Sequence, residues 1–207
     1  MAFSLEWIEK FFPIELTEQR KGRLRDGLKT FALGTSPKTY TDFYLASIPN
    51  YFLQGDLIFD LRFPQWDTEN RIFEKAYFKS IILSNSCDID EANQATRTLP
   101  KRIIIAKLFT LADFEEGLQT LNIENSNAIV VNLKNQEYSN LMYFPPINNI
   151  EYIAFFDELG SITNEELNVL KSNISNNRIA SLDLFGHYLL VFKLSYHLCR
   201  LPEEIDR

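Results

Sequence analysis

The feature that most constrains this chain is a series of short β-prone runs set between two helical ends. From residue 51 onward, GDLIFDL (55–61), YFKSIILS (77–84) and KRIIIAKL (101–108) are rich in β-branched and aromatic residues and are separated by polar loops. NAIVVNL (127–133) and YSNLMYF (138–144) flank KNQE and predict a hairpin that Pro145 and Pro146 terminate. IEYIAFF (150–156) predicts another strand, and LADFEEGLQTL (111–121) a helix between strands.

The flanks read differently. Ser4 can cap a short helix that stops at Pro13, and Thr17 a second that ends near Gly34, with Leu24, Leu28 and Phe31 at helical spacing. GTSPKTYTD (34–42) is turn-like. Near the other end, Thr163 and Glu166 form a capping box. Ser181 is expected to cap LDLFGHYLLVFKLSYHLCR, a helix apolar enough to be well buried. The plan is α+β. Helices and a linker occupy residues 1–49, a small β-barrel core 50–160, and a helical extension packed on the barrel 161–207.

Composition narrows the function classes. Seventeen Phe and nine Tyr in 207 residues supply ample core material. No apolar run is long enough to span a bilayer, and the N-terminus does not read as a signal peptide. Two cysteines, Cys87 and Cys199, without a CxxC fit a reducing cytoplasm. Net charge is −7, with seven Lys/Arg and six Asp/Glu in residues 1–50 and fourteen and twenty-two in the rest. An acidic body does not attract nucleic acid in general, so an RNA face would have to be a local patch.

No nucleotide-loop or zinc-hydrolase motif occurs, and no cofactor is predicted. A metal site is not expected either. His187 and His197 lie ten residues apart on one predicted helix, a rise of about 15 Å, and His197 and Cys199 project from nearly opposite sides. Nucleophilic chemistry at Cys87 needs a base or a positive field, yet its immediate neighbour Asp88 is an anion. The expectation is that ILSNSCDID (82–90) ends a strand and builds a loop at the barrel mouth, with Ser84, Asn85, Cys87 and Asp88 shaping a binding site. Lys79, Arg97, Lys101 and Arg102 precede two strands and would converge at one edge if those strands are neighbours, with Tyr77, Phe78 and Phe109 as possible stacking partners for bases.

The order GDLIF, then KSIILSNSCDID, then RIIIAKL resembles the PemK/MazF toxin pattern. Gly55–Asp56, the stretch 81–85 and the stretch 103–108 carry the likeness, and Gly55 would let the chain turn tightly while Asp56 caps that turn. The stretch 84–89 also resembles an uncharacterised bacterial group of barrel proteins with a Ser-x-x-Cys-Asp-Ile/Leu turn after the second strand, as do YFPP (143–146) and RIASL (178–182). The resemblance implies an SH3-like barrel and, in the toxins, a sequence-specific endoribonuclease. Where those have Arg-Pro and a Thr, this chain has Lys79–Ser80 and Phe109, with Thr110 adjacent. Lysine lacks the bidentate fork of arginine, and Phe109 supplies no hydroxyl. The leading expectation is therefore a non-catalytic binding or regulatory module, linked to toxin–antitoxin or phage-defence operons and meeting a protein partner or RNA, with a homodimer possible and no membrane contact. The alternatives are an endoribonuclease with an altered site around Lys79, Arg97 and Thr110, and cysteine chemistry at Cys87–Asp88.

Overall fold

The computed structural model describes residues 17–32, 43–67, 69–90, 93 and 102–198. The expected helix over 4–12, the linker over 34–42, Arg97, Lys101 and Cys199 lie outside the described residues. Helix α1 (Glu18–Ala32) begins after Thr17, whose hydroxyl accepts from Arg20 N. Strands β1 (Leu57–Asp67) and β2 (Ile72–Ile82) form a hairpin, and the short helix α2 (Ser86–Ile89) follows. Strand β3 (Ile103–Thr110) leads into α3 (Leu111–Thr120) and α4 (Ser126–Lys134). Strands β4 (Leu141–Ile147) and β5 (Ile150–Ile162) precede α5 (Asn164–Lys171), α6 (Ile174–Asn177), β6 (Arg178–Ala180) and α7 (Leu184–Leu198).

The chain is α+β, with one curled antiparallel sheet in the order β4-β5-β3-β2-β1-β6. Both faces of the sheet are buried, and alternate residues along each strand supply the two layers. Leu57, Ile81, Ala106, Leu108, Met142, Phe144, Ala154 and Phe156 line the inner face, where Leu189 and Leu190 of α7 pack. Ile58, Ile82, Ile103, Ile105 and Ile162 face outward under Ile89, Leu167 and Ile174 of α2, α5 and α6. Leu141, Tyr143 and Ile153 are covered by Leu111 and Leu133 of α3 and α4. Leu24 of α1 is buried against Leu184, Phe185, Tyr188 and Phe192 of α7.

The two sheet edges are joined by a side chain. Leu45 N donates to Ser181 O and Asp183 N to Phe43 O, both at 2.9 Å, which lays residues 43–45 along the chain after β6. From there the Tyr44 hydroxyl reaches Pro145 O on β4 at 2.7 Å.

Three expectations are corrected. The stretch 127–133 lies within α4 and is not a hairpin strand. Its continuous apolar run does not distinguish strand from helix, and it buries Leu133 while leaving Val131 exposed. The place a strand would take beside β4 is filled by Gln136, whose side chain donates to Tyr143 O and accepts from Tyr143 N. The hairpin is instead β4–β5, turned by Asn148 (φ 50°) and Asn149 (φ 66°), two left-handed residues that match the twist of the strands. Pro145 and Pro146 do not end β4; they fall in its register irregularity on an edge strand, where a missing N–H is tolerated. Ser181 does not cap the last helix. It is fully buried three residues before α7, and the Asp183 carbonyl takes the first helical amide, from His187.

Candidate functional site at the turn after β2

Gly55 starts the site. Its φ of 88° is open to glycine, and a Cβ there would lie 2.7 Å from Leu182 Cδ1. That tight turn brings Gly55 N to Ile82 O at 2.8 Å and Asp56 O to Ile82 N at 3.0 Å, so residues 53–56 sit against the exit of β2. Asp56 Oδ2 accepts from Leu53 N at 3.0 Å, which is the turn cap expected from the sequence.

The polar side chains after β2 are spent on holding the turn. Ser84 Oγ accepts from Ile104 N at 2.8 Å, binding the turn to the start of β3. Asn85 caps α2 by accepting from Cys87 N at 2.9 Å. Ser86 Oγ accepts from Gln54 N at 3.0 Å, and Gln54 Nε2 donates to Leu83 O at 2.7 Å. Ile89 anchors the turn in the outer core. Asp88 is half-buried, and Cys87 is an exposed free thiol whose carbonyl accepts from Asn93 Nδ2.

Beside this turn the inner face of the sheet is open. Ile104 pairs with Ser161 and Ala106 with Leu159, so Ile104 and Leu159 are diagonal neighbours on that face. They are 47% and 44% exposed, whereas Ala106 between them and the core is fully buried. Arg102 stands at the rim, donating to Ser161 Oγ at 2.7 Å and to Ser161 O at 2.8 Å. An apolar pair bordered by a guanidinium and a thiol-bearing turn can hold an apolar group that carries an acidic neighbour.

Of the basic cluster, the structure describes Lys79 and Arg102, and it does not bring them together. The strands β2 and β3 are neighbours, but Lys79 stands opposite Leu108, six residues along β3 from Arg102. That separation is about 20 Å. Thr110 is the N-cap of α3, accepting from Asp113 N at 3.1 Å. Phe109 packs on Phe155 and Phe78, and Lys107 Nζ lies 4.2 Å from the Phe78 ring centroid and 2.5 Å from Glu158. Tyr77 accepts a hydrogen bond from Arg62 on the facing strand.

The histidines lie ten residues apart on α7, as expected. Burial pushes the His187 imidazole below its ordinary value, and a hydrogen bond to the Gln54 backbone offsets part of that. His197 Nε2 is 3.3 Å from Asp157 Oδ1 and its ring faces Phe156. Among the described residues no group of three or more His, Cys, Asp or Glu side chains could hold a metal ion. None of the described helices is long and apolar enough to cross a membrane.

The strongest electrostatic feature was not anticipated. Arg178 of β6 and Asp56 form a buried ion pair, with Nη1 to Oδ2 at 2.8 Å and side-chain exposures of 4% and 0%. Arg178 also donates to Tyr51 O and Pro49 O, and its guanidinium lies 5.6 Å from the Phe52 ring centroid. Burial raises the Asp56 carboxyl above its ordinary range, and the Ser181 hydroxyl, the Leu53 amide and Arg178 pull it back only in part. Ser181 Oγ and Asp56 Oδ1 are both buried, and the Ser181 hydroxyl lies close enough to favour the carboxylate without forming a well-aligned hydrogen bond to it. This pair is closed to solvent, so its role is to fix β6 and residues 49–53 to the start of β1. The only sequence sign was a lone arginine in the apolar stretch RIASL (178–182). Comparison of the chain with family models, curated proteins and solved structures finds no match.

Proposed function

We propose that this chain is a non-catalytic binding or regulatory module on a toxin-like, SH3-like barrel, and that its partner docks at the barrel mouth. One observation carries the reading: Ser84, Asn85 and Ser86 are consumed in holding the turn, while Ile104 and Leu159 stand open beside it. The partner that fits is a protein segment with an apolar side chain for Ile104 and Leu159 and an acidic group for Arg102. The acidic body weighs against RNA, because phosphate binding draws on net positive charge. The same direction follows from Thr110, whose hydroxyl caps a helix, and from the distance between Lys79 and Arg102. The resemblance to the PemK/MazF pattern suggests a toxin–antitoxin or phage-defence setting, and the cysteine usage a cytoplasmic one.

The test is photo-crosslinking from Cys87 with a thiol-attached probe in the cells that make the protein, beside Ile104→Asp. A defined cross-linked protein that is lost in the variant supports the reading. Cross-links indifferent to the variant, or cross-links to RNA, overturn it.

A further inference from the structure

Arg62 on β1 and Lys79 on β2 have no carboxylate partner among the described residues. Lys21, Lys107, Lys134 and Arg178, by contrast, each pair with an acid. The strand register brings the unpaired cations together. Lys79 stands opposite Leu108, and Leu57 opposite Ile81, and these apolar residues belong to the inner layer of the sheet. Alternation along β2 puts Tyr77, Lys79 and Ile81 on that inner face, and Arg62 joins them as the cross-strand partner of Tyr77. Lys79 is therefore diagonal to Arg62, a separation of about 7–8 Å that two long side chains span.

Tyr77 sets the arginine. Arg62 Nε donates to the Tyr77 hydroxyl at 2.8 Å, and the guanidinium carbon lies 5.4 Å from the ring centroid. The phenol thus accepts from Arg62 and keeps its own proton to donate, while both Nη groups of Arg62 stay available. Tyr77 is 57% exposed. Strand β3 pairs with β2 only from Lys79 to Ile82, so no described strand is paired with β2 beside Tyr77 on that side. Lys79 is half-buried, and its neighbours Ile81 and Leu108 are buried and apolar. Such a floor strengthens the attraction of an anion to the cations above it.

A carboxylate neutralises only one of these charges. A phosphate monoester carries nearly two negative charges at neutral pH and has three terminal oxygens, enough for both cations and the phenol proton. The exposed ring beside these donors adds a flat surface on which a base stacks. We infer that Arg62, Tyr77 and Lys79 form a binding site for a small phosphate monoester that carries a flat ring, a mononucleotide. The site is separate from the turn after β2, because five residues along the strand, about 17 Å, lie between Tyr77 and Ile82. It does not depend on what docks at that turn. With solvent-facing cations and a single ring, binding is modest, in the ~0.1–1 mM range, and weakens with added salt.

Ligand-observed NMR titration of the intact chain with AMP, inorganic phosphate and adenosine tests this. AMP binds, inorganic phosphate competes with it about tenfold more weakly, and adenosine does not bind below ~10 mM. Arg62→Gln and Lys79→Gln each weaken AMP binding by about tenfold. Tyr77→Leu removes the ring and lowers AMP to the level of phosphate. Unchanged melting in all three variants shows that the fold is kept. No AMP binding up to ~10 mM overturns the inference. So does adenosine binding as tightly as AMP, or AMP binding indifferent to the substitutions at Arg62 and Lys79. An RNA oligomer held by the same three residues without AMP binding overturns it in favour of a nucleic-acid strand.

Discussion

Replacing Arg178 with methionine isolates the buried pair that ties β6 to β1. Methionine keeps an unbranched apolar stem and removes the charge. It leaves the Asp56 carboxylate fully buried without its counter-ion and withdraws the donor from the Pro49 and Tyr51 carbonyls. Breaking one side of a buried pair costs about 3–5 kcal/mol. For a chain of this size that lowers the melting temperature by about 6–20 °C. Asp56→Asn is also destabilising, because it strands the arginine, but an amide oxygen still accepts from Leu53 N. The double variant loses less than the sum of the two, because neither charge is left alone.

The pH dependence gives a second readout. The Asp56 carboxyl titrates higher in the folded chain than in the unfolded one, chiefly through burial. Between the two values the folded chain holds a proton that the unfolded chain has released, so stability falls as pH rises through that window and the cost is absent below it. Without Arg178 the folded value rises further and the window widens. The Arg178→Met deficit is therefore smallest in acid and grows toward neutral pH. Thermal and urea melts at a series of pH values measure both effects. A loss under about 1 kcal/mol at neutral pH, the same at every pH, would refute the assignment of a buried, coupled charge pair.

Three further outcomes follow from the local geometry, each read by the same melts. Gly55→Ala costs about 1–3 kcal/mol, because φ is 88° and the new Cβ meets Leu182 Cδ1 at 2.7 Å. Gly117→Ala, in the interior of α3 with nothing within 4 Å of its Cβ, raises stability by about 0.5–1 kcal/mol. Thr163→Ala removes one half of the capping box on α5 and costs about 1 kcal/mol.

Local signals in the sequence carried far, and they failed where distant residues decide. The Thr163–Glu166 box and the Thr17 start are read within one turn of chain, and both helices begin there. The β-branched runs of β1, β2, β3 and β5 appear as strands because alternate residues pack on two buried faces. The 127–133 run was ambiguous because a short apolar stretch suits strand or helix, and Gln136 on the outer edge of β4 settles it. The bulge in β5 was equally silent. Between Ala106↔Leu159 and Lys107↔Phe155 three residues are skipped, which sends Phe156 into the core and Asp157 toward His197. Arg178 finds Asp56 across 122 residues, a contact that no local pattern contains. The turn after β2 was legible as a turn from its Ser, Asn and Asp residues. The open apolar pair was not, since Ile104 looks like any other residue of an Ile-rich strand until its neighbours are known.

The proposed function, a module that binds without cutting RNA, is tested most directly by incubating RNA with the purified chain beside Lys79→Ala and a mock preparation. The account predicts no cleavage above the mock for either protein. Cleavage by the wild type that disappears in Lys79→Ala would contradict it and make this chain a ribonuclease with a rearranged site.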